Sequence, residues 1–146
     1  EIVAVNDLMD AATNFHLLQY DTNYGKADFT CEVAAEKTSV GGCEATMVKV
    51  GDWNVACLAE RDPNKLPWAE LGVDVVVEST GIFRTAPQAG VHMERGAKKV
   101  IISAPAKKAG TANAGAYVAK AFEDDFIAMV AEYVRNGGSV VICGLT

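Results

Sequence analysis

The sequence predicts an α/β domain: a Rossmann-like, doubly wound, mostly parallel sheet with a small antiparallel excursion. Three observations lead there. Residues 2–5, 73–77, 99–103 and 140–143 are short runs of mainly branched apolar residues without polar alternation, the form of strands covered on both faces. Segments with helical spacing alternate with them. The length, 146 residues, suits one domain that buries roughly 70% of its unfolded surface and needs no disulfide or metal to hold a core.

Taken in order, the strand at 2–5 is stopped by Asn6-Asp7, and residues 11–20 follow as a short helix with Asp10 able to cap its start. Between 21 and 58, Gly25, Gly41-Gly42 and Gly51-Asp52 punctuate short segments at 30–33, 46–50 and 54–59, which read as the antiparallel excursion. A proline-punctuated connection, Arg61-Asp62-Pro63 to Lys65-Leu66-Pro67-Trp68, leads to the strand at 73–77. A helix at 87–95 closed by Gly96 and a strand at 99–103 complete a βαβ unit. Residues 105–115, rich in alanine and glycine, read as a loop or linker. Val118, Phe122, Phe126, Met129, Val130 and Tyr133 recur at steps of three and four, an amphipathic helix that Asn136-Gly137-Gly138 would end before the last strand, 140–143.

Composition excludes several classes of function. Thirteen basic residues against nineteen acidic leave a net charge of −6, and no basic cluster exceeds Lys98-Lys99 or Lys107-Lys108, so nucleic acid is not expected as a partner. No apolar run approaches the ~20 residues of a membrane span, and no membrane association is expected. Cys31, Cys43, Cys57 and Cys143 form no CxxC pair and only two histidines are present, so no metal site is expected and the thiols read as reduced and intracellular. Glu1 is not an initiator methionine, which admits a processed product, an excised domain or a rearranged chain.

In an open parallel sheet, ligands bind beyond the carboxyl ends of the strands. Here that rule selects Asn6-Asp7, Ser79-Thr80-Gly81, Ser103-Ala104-Pro105 and Gly144-Leu145-Thr146. Asp7 stands where a dinucleotide fold places the carboxylate that accepts both hydroxyls of an adenosine ribose, a pairing that favours NAD over NADP; by itself, an Asp after a strand is more often a helix cap or turn residue. Ser79 and Thr80 can likewise cap a helix, and Phe83 can be core. Gly41-Gly42 lacks a third glycine and a strand-to-helix setting, so it reads as a turn. His16 and His92 fall on expected helices and read as solvated or packed, and Cys143, inside a strand, reads as structural. No catalytic residue is expected on this chain.

Five segments carry a resemblance. EIVAVNDL (1–8), LLQYD (17–21), AERDPNKLPW (59–68), VESTGIF (77–83) and GAKKVIISAPA (96–106) occur, in that order, in a pattern that resembles the N-terminal NAD-binding domain of phosphorylating glyceraldehyde-3-phosphate dehydrogenase, over residues 1 to about 108. The resemblance implies an oxidoreductase domain of glycolysis that holds NAD, in a cytoplasmic protein, with a homo-oligomer as a further expectation. It implies that Asn6 and Asp7 contact the adenosine side, with Asp7 on the ribose hydroxyls, and that Arg61 and Phe83 lie near the adenine. Ser79, Thr80 and Gly81 would form the turn lining the cofactor, and Ser103 and Ala104 would face the nicotinamide half.

Departures from the family pattern are as informative. The family's opening strand with its GxGxxG turn is not found, nor is its cysteine nucleophile motif or catalytic domain, so the chain alone is expected to bind rather than turn over, and to hold NAD more weakly for want of the pyrophosphate's anion site. Residues 109–146 do not follow the family. In the strand order 3-2-1-4-5-6 the missing strand belongs between 2–5 and 73–77, leaving two unpaired inner edges. Either residues 140–144 fill that slot, with Gly144 near the pyrophosphate position, or they form an ordinary sixth strand at the sheet edge; the helix-strand ending favours the edge. A noncatalytic fragment, chimera or rearranged scaffold is the alternative to the NAD-binding reading.

Overall fold

A computed structural model describes residues 1–103, 116–118 and 140–143, the last two stretches as backbone strands. Strand β1 (Ile2–Asn6) leads into helix α1 (Ala11–Gln19). Asp10 caps that helix: its carboxylate accepts the Thr13 amide at 2.9 Å and the Thr13 hydroxyl at 2.7 Å, bonds that hold its pKa below the usual carboxylate range. A two-residue ribbon, β2 (Tyr20–Asp21) and β3 (Gly25–Lys26), precedes three longer strands, β4 (Cys31–Val40), β5 (Cys43–Val50) and β6 (Trp53–Leu58). A 3-10 turn over Pro63–Lys65 then leads to β7 (Val75–Glu78), helix α2 (Ala86–Glu94), β8 (Lys99–Ile102), β9 (Ala116–Val118) and β10 (Val140–Cys143).

Eight strands form one sheet in the order β4-β5-β6-β1-β10-β7-β8-β9, parallel from β6 to β9 and antiparallel at β4-β5 and β5-β6. The excursion expected between 21 and 58 is therefore an extension of the main sheet, with strands longer than the sequence suggested. Ladder pairing resumes at Lys37 after a register shift that follows Val33 and so extends β4 into the polar 37–39 stretch, where apolar periodicity gives no signal.

The expected edge position of 140–143 is corrected by the pairing. β10 lies between β1 and β7, with Ile142 opposite both Val5 and Val77. Its backbone closes the two inner edges that would otherwise stand open, each unpaired buried group costing ~1–3 kcal/mol. Val118, expected to begin an amphipathic helix, is instead the last residue of β9, where it pairs with Ile102. The remainder of that helix, and the loop read at 105–115, lie outside the described residues. At 73–77 the strand begins two residues late: the Val73 amide is engaged by the Trp68 carbonyl at 3.0 Å, and the Asp74 carbonyl receives the amides of Lys98 and Lys99, both at 2.9 Å, in the turn into β8.

Two apolar clusters lie on opposite sides of the sheet. Consecutive residues of a strand face opposite sides, and Ala4 belongs to one cluster while Val5 belongs to the other. Phe15 of α1 packs with Val5, Val48 and Val55; Leu66 and Trp68 of the connection before β7, with Ala89 of α2, share the other cluster with Ala4, Val76 and Val100. The helices α1 and α2 thus cover opposite faces. Gly96 ends α2 with φ +112°, and a Cβ there would stand 2.8 Å from the Ala69 backbone, so only glycine allows the 66–73 connection to close over the helix end.

Candidate functional site

Because β1 and β7 run parallel with β10 between them, their carboxyl ends reach the same edge of the sheet. The loop after β6 arrives at that edge too, since β6 is parallel to β1. A crevice of about 320 Å³ opens there, and Asn6, Asp7, Arg61, Thr80 and Phe83 all line it. Five of the nine expected site residues are thus brought together from three separate segments. Ser79, Gly81 and Ser103 are not among the lining residues, and Ala104 is outside the described residues.

Local hydrogen bonds set each position. Asp7 continues the β1-β6 ladder through its amide, which donates to Leu58 O at 3.0 Å, and its Oδ1 accepts the Met9 amide at 2.8 Å. The chain turns sharply around this carboxylate, which fixes its direction. Asn6 lines the crevice and also ties two segments together. Its Nδ2 donates to Glu60 O and its Oδ1 accepts the Glu60 amide, both at 2.9 Å, so the side chain acts as an extra strand residue that clamps the loop carrying Arg61. Asp62 caps the following 3-10 turn, and hydrogen bonds from Asn64 to its carboxylate hold its pKa low.

Across the crevice, the turn after β7 needs glycine at 81, where φ is +72°. Thr80 organises this turn: its Oγ1 accepts the Ile82 amide at 3.1 Å, and its amide and hydroxyl both donate to Glu78 Oε1, the former at 2.9 Å. Behind it, Ser103 ties β8 to β7, its amide donating to Glu78 O at 3.0 Å and its hydroxyl to Ser79 Oγ at 2.9 Å. Phe83 meets the edge of the His92 ring at 6.5 Å between centroids.

Glu78, which the sequence did not single out, and His92, which it read as solvated or packed, also line the crevice. Both are 1% exposed, and His92 Nε2 lies 2.9 Å from Glu78 Oε2. The signal for Glu78 is a carboxylate closing a run of buried valines, since such a group must be partnered. His16 is exposed and stacks obliquely on Tyr20. Among the described residues no group of three or more His, Cys, Asp or Glu side chains is placed to hold a metal ion, and no helix is long and apolar enough to cross a membrane.

Of the three cysteines described with side chains, Cys57 is the most perturbed: burial pushes its thiol up to about 12. Its thiolate is disfavoured in the fold, so Cys57 is expected to resist iodoacetamide at pH 8.5 until denaturant is added. Between pH 9, where the unfolded thiol ionises, and about 12, where the folded one does, this group withdraws stability as pH rises. Alkylation of native protein at Cys57 as fast as in urea would contradict this.

The family model for the glyceraldehyde 3-phosphate dehydrogenase NAD-binding domain matches residues 1–86, more than half of the chain. The chain belongs to that family. A glyceraldehyde-3-phosphate dehydrogenase of Streptomyces avermitilis is 56% identical over 106 residues, 73% of this chain. Counterparts from Geobacillus stearothermophilus and Thermotoga maritima are 50% and 49% identical over 107 residues. Each match spans 29% of the relative's own length, so the chain corresponds to less than a third of those enzymes. NAD is the cofactor of this glyceraldehyde 3-phosphate dehydrogenase-type domain.

The crevice chemistry fits one half of that cofactor. Its wall holds three carboxylates, Asp7, Glu60 and Glu78, against the guanidinium of Arg61. A negatively charged wall repels phosphate and suits a neutral group rich in hydrogen-bond donors, which describes the ribose hydroxyls and exocyclic amine of adenosine. Gly144, expected near the pyrophosphate if residues 140–144 fill the central slot, lies outside the described residues, as do Leu145 and Thr146.

Proposed function

We propose that the chain is a single Rossmann-like, doubly wound domain, 1–146, that holds NAD with its adenosine in the crevice between β1 and β7. Asp7 takes the ribose hydroxyls, Arg61 and Phe83 flank the adenine, and Thr80 with Ser79 and Gly81 shapes the opposite wall. Asn6 serves by clamping the Arg61 loop, while Ser103 and Ala104 lie toward the nicotinamide half. Bound NAD supplies a hydride acceptor; the residues of this chain bind and orient it. The whole protein is a cytoplasmic, oligomeric enzyme of glycolysis that oxidises and phosphorylates an aldehyde, with its nucleophile and phosphate-binding groups on another domain. The observation that supports this most is the convergence of Asp7, Arg61, Thr80 and Phe83 on one crevice.

Asp7→Asn tests it. The amide oxygen can still accept the Met9 amide, so the turn survives while the charge is lost. Calorimetry with NAD, NADP and AMP should show NADP gaining on NAD by at least about tenfold, because a carboxylate close to the extra phosphate costs a few kcal/mol at an effective dielectric near 20. An unchanged NAD to NADP ratio in a variant that still binds AMP would remove Asp7 from the ribose. A second reading, a noncatalytic scaffold, draws on β10: the chain completes its own sheet across the central slot. Absence of any thermal shift with NAD or AMP would favour that reading.

A further inference from the structure

Under the 79–82 turn lies a line of buried polar groups that the binding reading leaves unused. Trp68 Nε1 donates to His92 Nδ1 at 3.0 Å, His92 Nε2 meets Glu78 Oε2 at 2.9 Å, and Glu78 Oε1 holds the amide and hydroxyl of Thr80. Three segments meet in it: the connection before β7, helix α2, and the last residue of β7. The core does not require such groups, since Trp68, Glu78 and His92 are each at most 1% exposed, and buried polar atoms cost free energy unless every one is partnered.

Chemistry gives the line a direction. An indole N–H only donates, so His92 Nδ1 must accept. The neutral ring then carries its hydrogen on Nε2 and donates it to Glu78 Oε2. Glu78, as a carboxylate, only accepts, so the Thr80 hydroxyl donates to Oε1 and keeps its lone pairs for the Ile82 amide. Each link dictates the next, from a core tryptophan to the backbone of the crevice wall.

The geometry points to Glu78 and His92 as positioning residues, a directional relay, its tautomer set by Trp68, that holds Thr80, and through it the 79–82 turn, in the shape that meets adenosine. This rests on the NAD reading of the crevice. Rigid support of this kind is what keeps a binding wall in its productive geometry. Direction is the property that a merely space-filling network lacks, and it makes the relay testable.

In Glu78→Gln, the amide oxygen can accept from Thr80, but its NH2 then faces His92 Nε2–H. The ring can accept there only by moving its hydrogen to Nδ1, against the Trp68 N–H. The relay breaks whichever way the amide turns. Adding Trp68→Phe removes the opposing donor and lets the ring switch tautomer and accept from Gln. Trp68→Phe alone leaves the His92 to Glu78 to Thr80 links intact.

The experiment titrates the full chain and these variants with AMP and NAD by calorimetry, and reads the His92 tautomer from its ring 15N shifts. E78Q is expected to bind AMP about tenfold more weakly. W68F alone should stay within about threefold of wild type although it is less stable, and the double variant should recover most of the E78Q loss with its hydrogen on Nδ1. If E78Q does not fold, Thr80→Val carries the same expectation of about tenfold weakening, rescued by Thr80→Ser. Wild-type affinity in E78Q or T80V overturns the relay and leaves the NAD reading standing. A double variant that has switched tautomer without regaining affinity does the same. If wild type binds neither AMP nor NAD, the crevice reading fails and takes the relay with it.

Discussion

Replacing Ile142 with proline is expected to abolish cooperative unfolding of the chain. Ile142 lies opposite Val5 on one side and Val77 on the other, so β10 is the seam that joins the half of the sheet ending at β4 to the half ending at β9. Proline removes a ladder donor, and its ring obstructs the neighbouring strand, at about 3 kcal/mol or more. Loss of the strand would open the facing edges of β1 and β7, with ~1–3 kcal/mol for each backbone group left unpaired and buried. Against a net stability of ~5–15 kcal/mol for a whole domain, such a sum is not survivable. Ala35→Pro provides the comparison, because Ala35 falls in the register shift of the edge strand β4, where the ladder is already interrupted. Urea unfolding followed by circular dichroism should show a native-like transition for A35P and a broad or absent one for I142P. A transition for I142P within about 1 kcal/mol of wild type would mean that β10 does not occupy the central position.

The second large effect is expected at Trp68. Its side chain is fully buried between Ala4, Val76 and Ala89 and gives its N–H to His92. Trp68→Ala removes a large core side chain, typically about 3–5 kcal/mol, and also leaves His92 Nδ1 without its donor, a further ~1–3 kcal/mol. The sum is comparable to the whole stability of a domain, so W68A should be largely unfolded at 25 °C. Trp68→Phe keeps most of the packing and loses the hydrogen bond, so it should fold with a loss of ~1–3 kcal/mol. Equal stabilities of W68F and wild type in urea titrations would show that the indole to imidazole bond contributes nothing net.

Much of this molecule was legible before its structure. The capping of α1 by Asp10 follows from one carboxylate placed three residues before Thr13, and the stop of α2 at Gly96 from a glycine just past its last turn. The rule that ligands gather beyond strand ends picked Asn6-Asp7 and Ser79-Thr80-Gly81, and the crevice is bounded by Asn6, Asp7 and Thr80. The bonds of Asn6 to the Glu60 backbone are not legible in the sequence, because the two residues are 54 positions apart. Glu78, His92 and Trp68 were missed as a group for a similar reason: each is unremarkable within its own segment, and the demand that a buried carboxylate be partnered names no partner.

The sequence by itself determined β1, α1, β7, α2 and β8, and the family the chain belongs to, because these depend on residues within a few turns of one another and on motifs read in order. Which strand stands beside which was decided only by tertiary structure. The apolar pattern of Val140–Cys143 says that the strand is covered on both faces, which holds for every inner position of a parallel sheet and even for a covered edge. Two unpaired edges at β1 and β7, brought together by the packing of α2 and the 66–73 connection, are what draw β10 into the middle. The same convergence turns separate polar residues into one crevice with a directional support beneath it.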